Sequence, residues 1–295
     1  MAEGKPSLGF IGLGLMGRPM TGRLLEAGYP VIVWNRSRGK VEPLVAQGAT
    51  AAESPAAVAA AAEFVMLCVT DTRAVEAVVF GPGGIAEARG ARVLVDFSSI
   101  RPDATRDMAA RLEAANGMGW VDAPVSGGVP GAEAGSLVIM AGGETADVEA
   151  VRPVMACLSR RFSHMGPRGA GQTTKLVNQI IVSCNLAVIA EAINFARRLG
   201  VDPMGLFRAL EGGFADSRPF QLFGPRMAAG EFDDHIGALH TMLKDVDTAR
   251  DLARAADAAL PMTATAGEIY RQAAARGLAE ADIATLITLY DPPVE

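Results

Sequence analysis

The sequence predicts an α/β chain in two parts: a doubly wound parallel sheet, then an all-α portion opened by one long helix. Three observations carry this. In the first half, short runs rich in Val, Ile and Phe alternate with helix-patterned stretches. Runs that are apolar throughout imply strands covered on both faces. A glycine-rich turn joins the first run to the first helical stretch. From 172 to 199 there is neither Gly nor Pro, and no strand pattern returns.

Strands are expected at 8–11, 31–34, 64–69, 93–97 and 120–121, with 137–141 and 161–163 adding to the far end of the sheet. Helical periodicity fills 16–27, 39–47, 55–62, 72–80, 102–115 and 146–157. The stretch 172–199 reads as one helix about 40 Å long at 1.5 Å per residue, stopped at Gly200. Helices follow at 203–211, 219–228, 237–258, 263–276 and 281–289. The glycine-rich 166–171 marks the boundary, giving domains 1–165 and 166–295.

Composition narrows the function. The 295 residues carry 27 Lys+Arg against 33 Asp+Glu, a formal charge of −6, so no basic face recommends nucleic acid. A hydrophobic share of 50% with 20% charged residues describes a globular chain with a large core, not a disordered one. Cys68, Cys157 and Cys184 are odd in number and lack ligand spacing, which argues for a reducing cytoplasm. The apolar runs 8–16 and 180–190 are glycine-broken or too short for a membrane span of ~20 residues. His164, His235 and His240 form no metal pattern, and no metal is expected; 233–235 reads as a polar loop.

Gly12-Leu13-Gly14-Leu15-Met16-Gly17 has the G-x-G-x-x-G spacing of a Rossmann dinucleotide site, between strand and helix as required. Gly12 permits the tight turn, Gly14 lets a pyrophosphate approach the backbone, and Gly17 lets helix and sheet pack closely. Phosphate then meets the helix N-terminus through the amides of this turn. The second strand ends in Asn35-Arg36-Ser37 rather than in a carboxylate. Arg36 can pair with a 2′-phosphate, so NADP(H) is preferred, with NAD(H) use possible.

Three separated segments then stand in order: 10–20 (FIGLGLMGRPM), 122–132 (DAPVSGGVPGA) and 169–179 (GAGQTTKLVNQ). With Leu243-Lys244-Asp245-Val246 they resemble the β-hydroxyacid dehydrogenase family over nearly the whole chain. That family comprises 3-hydroxyisobutyrate dehydrogenases, tartronate semialdehyde reductases and, more distantly, 6-phosphogluconate dehydrogenases. The resemblance implies a Rossmann domain, a long interdomain helix and a helical C-terminal domain. It also implies a homodimer or homotetramer.

Lys175, Asn178 and Gln179 share one helical face by their spacing. Reduction of a carbonyl needs a proton for the forming alkoxide, which an ammonium can supply while stabilising the charge. The resemblance assigns that role to Lys175, with Asn178 as the catalytic amide and Gln179 nearby; some members carry the amide at the position of Gln179. Ser126-Gly127-Gly128 offers bare amides beside a hydroxyl, a cradle for a substrate carboxylate. Similarity to the family makes these three substrate-binding, with Lys244 and Asp245 contributing from the C-terminal domain to substrate and cofactor. Val69, Thr70 and Ser98 lie at sheet ends, where a doubly wound fold binds ligands. The family places them along the nicotinamide ribose.

The implied activity is NADP(H)-dependent reduction of a small carboxylate-bearing semialdehyde to a hydroxyacid. Segments 212–217 and 240–245 look most like those of tartronate semialdehyde reductases. The alternatives are a 3-hydroxyisobutyrate or other short-chain semialdehyde enzyme, an imine reductase, and an NADP-binding protein without turnover. Lys175 argues against the last two.

Overall fold

Leu8–Ile11 (β1), Val31–Trp34 (β2), Phe64–Leu67 (β4), Val93–Asp96 (β5) and Gly119–Asp122 (β6) pair in parallel, and a short Thr50–Ala51 strand (β3) extends the edge beside β2. The first six strands lie in the order β3-β2-β1-β4-β5-β6, the dinucleotide-fold order. Val125–Ser126 (β7), Leu137–Gly142 (β8) and Ser159–Gly166 (β9) complete nine strands; β8 runs antiparallel to β6 and β7 and parallel to β9. The computed structural model describes residues 4–233 and 236–291 and divides into two units, Met1–Lys175 and Leu176–Glu295.

The register explains why the strands are apolar throughout. Phe10, Met66, Val95 and Val121 stand in one row across four strands and enter the core on one face. Gly9, Val65, Leu94 and Trp120 form the row before it, and the last three enter the core on the opposite face. Successive side chains alternate between faces, and helices cover both. These are Gly17–Glu26 (α1), Glu42–Val45 (α2), Pro55–Ala61 (α3), Thr72–Phe80 (α4), Pro102–Asn116 (α5), Gly128–Glu133 (α6) and Thr145–Met155 (α7).

Local chemistry accounts for the departures from expectation. Pro43 breaks the periodic 39–47 stretch into a 3-10 turn at Arg38–Lys40 and the four-residue α2. β3 and β7 have two residues each, too few to show a period. β9 is longer than the expected 161–163 because an edge strand carries polar residues, among them the exposed Arg160 and Arg161.

The second unit is helical. Ala170–Arg198 (α8) begins in the first unit and is followed by Met204–Ala209 (α9), Arg218–Ala229 (α10), Leu239–Ala255 (α11) and Pro261–Ala273 (α12). The last two segments are a π-turn at Ala274–Leu278, where Gly277 takes a positive φ, and a 3-10 helix at Ile283–Tyr290. Its core gathers Leu186, Ile189 and Ile193 of α8 with Phe207, Phe220, Met227, Tyr270 and Leu286. The Tyr270 hydroxyl donates to Ser183 O at 3.0 Å, and Arg226 pairs with the buried Asp282 at 3.0 Å. By length and composition alone α8 could cross a membrane; its Leu186–Ile193 face is spent in this core.

Candidate active site

The glycine-rich turn leaves β1 with Gly12 at φ +94°, where a Cβ would strike the Cys68 carbonyl oxygen. A Cβ on Gly17 would strike the Gly12 carbonyl oxygen, so the start of α1 lies against the turn. Gly14 faces open space. No side chain caps α1 and its first turn holds no acid, which leaves amides and helix dipole available to an anion. Leu13 is buried, and its amide donates to Asn35 Oδ1 at 2.9 Å; Asn35 Nδ2 donates in turn to Ser37 O at 3.0 Å. Asn35 thus ties the end of β2 to the turn. Leu15 is 82% exposed above it, and Met16 is partly buried against the core. Arg38 is committed to Glu53, whereas Arg36 is exposed and forms no ion pair with a described residue. These features fit a dinucleotide cofactor.

At the carboxyl edge of the sheet the next row reads Ile11, Leu67, Asp96, Asp122, passing from apolar to acidic. Asp96 Oδ1 accepts the Ser98 amide at 2.9 Å, and Ser98 Oγ accepts the Val69 amide at 3.0 Å. Gln172 on α8 donates to Ser98 O at 2.6 Å and accepts the Ile100 amide at 3.2 Å. Asp122 accepts the amides of Gly169 at 2.7 Å and Gln172 at 2.9 Å, capping α8 from the sheet. The nucleotide-side loops at Val69 and Ser98 and the helix bearing Lys175 are therefore held by one buried polar network. Thr70 is exposed and donates to Asp71, the N-cap of α4.

Ser126 closes β7. Gly127 and Gly128 both take positive φ, +128° and +62°, and are exposed at the start of α6. Lys175 is half-buried in the second turn of α8. In the second unit the structure joins two adjacent pairs that lie far apart in sequence. Asn178 Nδ2 donates to Gln179 Oε1 at 2.9 Å, and Gln179 Nε2 donates to Asp245 Oδ2 at 2.8 Å. Lys244 Nζ pairs with Asp245 Oδ1 at 3.4 Å.

The 6-phosphogluconate dehydrogenase NAD-binding domain matches residues 7–166, and the NAD-binding domain of NADP-dependent 3-hydroxyisobutyrate dehydrogenase matches 169–290. The chain is 40% identical over 283 residues to the 2-hydroxy-3-oxopropionate reductase of Escherichia coli K12, covering 95% of each. It is 35% identical to the 2-(hydroxymethyl)glutarate dehydrogenase of Eubacterium barkeri, covering 96% of this chain and 94% of that one. Mycobacterium tuberculosis 3-hydroxyisobutyrate dehydrogenase, solved with L-serine, superposes with a TM-score of 0.89 at 29% identity, over 98% of this chain and all of that one.

The chain belongs to the β-hydroxyacid dehydrogenase family. As a β-hydroxyacid dehydrogenase it is an NAD(P)-dependent oxidoreductase acting on small hydroxy acids. Among its described residues no group of His, Cys, Asp and Glu could hold a metal. His240 is half-exposed beside Ala279 O and Glu280, and His235 lies outside the described residues. Sequence reasoning passed over Asp96 and Gln172 and gave Asp122 no role, although two of the three stand inside the quoted motifs. Nothing in their spacing says that they meet.

Burial pushes the Asp96 carboxyl up to about 7, against the pull of its bonds from Ser98; the neighbouring Asp122 adds to the rise. Asp122 is likewise pushed up by burial, to about 6, while the amides it caps pull it down. Both values lie above that of an unfolded Asp, ~3.9, so between those limits the folded protein binds more protons than the unfolded chain. The stability these groups contribute is fully present below about pH 4 and is lost as pH rises to about 7. Asp96→Asn keeps an acceptor for Ser98 but cannot titrate. Its Tm is expected to change less than the wild type's between pH 5 and 8, by the equivalent of ~1–4 kcal/mol. Calorimetry giving parallel Tm profiles for the two proteins would refute this.

Proposed function

We propose that this β-hydroxyacid dehydrogenase reduces tartronate semialdehyde (2-hydroxy-3-oxopropionate) to glycerate, with NADPH as the preferred reductant. The observation that carries the catalytic reading is Lys175, half-buried on a helix whose first turn is fixed by Asp122 and Gln172. The choice of substrate is supported by the 40% identity to the Escherichia coli reductase along 95% of both chains.

When bound, the reduced nicotinamide supplies a hydride to the aldehyde carbon. The amides of Gly14, Leu15 and Met16 at the start of α1 hold the pyrophosphate, and Arg36 pairs with the 2′-phosphate. Val69, Thr70 and Ser98 border the nicotinamide ribose. Ser126 and the amides of Gly127 and Gly128 hold the substrate carboxylate. Lys175 stabilises the oxygen as negative charge develops and gives it a proton, becoming a neutral amine that solvent reprotonates. Asn178 orients the same oxygen, while Gln179 and Asp245 hold Asn178 and Lys244 in place.

Initial rates with NADPH and NADH across tartronate semialdehyde, methylmalonate semialdehyde, succinic semialdehyde and glyoxylate test the substrate. The highest kcat/KM is expected for tartronate semialdehyde. A higher value for another semialdehyde would overturn the substrate while leaving the role of Lys175 standing, since one methyl or hydroxyl in a pocket is worth only ~1–3 kcal/mol. Turnover of none would overturn the catalytic reading itself. Arg36→Ala is expected to weaken NADPH binding by ~10–100-fold, the worth of a charge-assisted contact, with little change for NADH. Fluorescence titration showing equal NADPH affinity in variant and wild type would contradict that assignment.

A further inference from the structure

Gln172 is 1% exposed, and its side-chain amide is committed to a single loop. Nε2 donates to Ser98 O at 2.6 Å, and Oε1 accepts the Ile100 amide at 3.2 Å. A buried polar group is costly unless it is bonded, and here both ends are. Pairing with a backbone oxygen and with the N–H two residues on needs a donor and an acceptor in one plane. A primary amide supplies both. A carboxylate offers acceptors alone, and Leu offers neither. Asp122 already anchors the start of α8 through the amides of Gly169 and Gln172. What the Gln172 side chain adds is a link from helix to loop. Ser98 is held at two further points: its amide donates to Asp96 Oδ1 at 2.9 Å, and its Oγ accepts the Val69 amide at 3.0 Å. Lys175 follows three residues later, about 4.5 Å along the helix axis.

We propose that Gln172 is a positioning residue for hydride transfer, its side chain setting the distance between the loops at Val69 and Ser98 and the proton donor Lys175. The proposal rests on the catalytic reading above, in which those loops border the nicotinamide ribose. One carbonyl bond must meet a hydride at its carbon and a proton at its oxygen. An error of ~1 Å between the two donors costs about 10²-fold in rate.

Amide exchange in the cofactor-free protein and single-turnover stopped flow test it. Gln172→Leu is expected to speed exchange of the Val69 and Ser98 amides about tenfold, the worth of one hydrogen bond. The Leu13 amide, bonded to Asn35, should exchange as in wild type. The hydride rate of Gln172→Leu is expected to fall ~10–100-fold with NADPH Kd within about threefold of wild type. Gln172→Glu supplies the donor only when protonated, a form that burial beside two other carboxyls favours. Its hydride rate should lie within about threefold of wild type near pH 6 and approach that of Gln172→Leu near pH 9. Dividing by the wild-type rate at each pH cancels the surrounding charges common to both proteins. These are Asp96 of β5, Asp122 of β6, Cys68 after β4, Arg106 of α5 and Lys175 of α8.

A wild-type hydride rate in Gln172→Leu, with Lys175→Ala slow, would overturn the proposal and leave the catalytic reading standing. Lys175→Ala as fast as wild type would overturn that reading instead. Unchanged exchange at Val69 and Ser98, or an equal loss of protection at Leu13, would also overturn the proposal. If Gln172→Leu does not fold, Gln172→Glu decides alone: a rate ratio to wild type that is flat between pH 6 and 9 refutes the positioning role.

Discussion

Replacing Lys175 with Ala is expected to lower kcat for semialdehyde reduction by about 10³–10⁴-fold while NADPH affinity changes by less than about threefold. A positioned general acid contributes ~10²–10⁴ in rate, and a cation at a developing oxyanion adds to it. Lys175 lies in the second turn of α8, and other groups tie the first turn of that helix to the sheet: Asp122 holds the amides of Gly169 and Gln172, and Gln172 holds the Ser98 loop. The fold should therefore survive, which a Tm within a few degrees of wild type would establish. Lys175→Arg separates the two roles. A guanidinium keeps the charge but does not release its proton near neutral pH, so it should restore a minor part of the rate. Stopped-flow measurement of NADPH oxidation gives the hydride step directly. A Lys175→Ala enzyme within tenfold of wild type would remove this residue from the mechanism.

Gly171→Val is expected to destabilise the first unit by ~3 kcal/mol or more, the upper end of overpacking costs. A Cβ at 171 would meet the Met140 carbonyl oxygen, lie 2.6 Å from Asp122 O and 2.9 Å from Asp122 Oδ2. Neither strand can yield easily, because β6 and β8 are buried along their length. Across the contact, Gly142 is equally constrained: its Cβ would lie 2.7 Å from Gly171 N. The helix thus approaches the sheet on paired glycines, close enough for the Asp122 carboxylate to reach its amides. A valine forces the first turn away, unpairs those amides and shifts Lys175 one turn further on. Both a Tm lower by ~6–12 °C and a fall in kcat for the folded protein are expected. Gly205→Ala, in α9 with open space around its Cβ, is the control and should be neutral or slightly stabilising. Calorimetric Tm values that put the two variants within 2 °C of each other would refute the close-approach argument.

Much of the fold is legible in the sequence because burial on both faces leaves a local trace. Up to Asp96, the strands at 8–11, 31–34, 64–67 and 93–96 are apolar runs since their side chains enter one core or the other. The nucleotide turn is legible for a steric reason, since its glycines stand where a Cβ would overlap backbone at Gly12 and Gly17. Other segments leave no such trace. β7 is too short for a period, β9 is polar at a sheet edge, and 283–290 is a 3-10 helix whose apolar composition resembles that of an α-helix.

The sequence by itself determined the α/β sheet followed by helices, the dinucleotide turn, the long helix and the types of residue offered for chemistry. Tertiary structure alone decided which of them meet. Asp96 and Asp122 become neighbours only through the β5–β6 register, and Gln172 reaches Ser98 across 74 residues of chain. Gln179 finds Asp245 across 66. Local periodicity records which side of an element is buried, because that depends on its own residues. It carries no record of which buried polar group lies opposite, because that partner is chosen by the packing of distant elements once the backbone has folded.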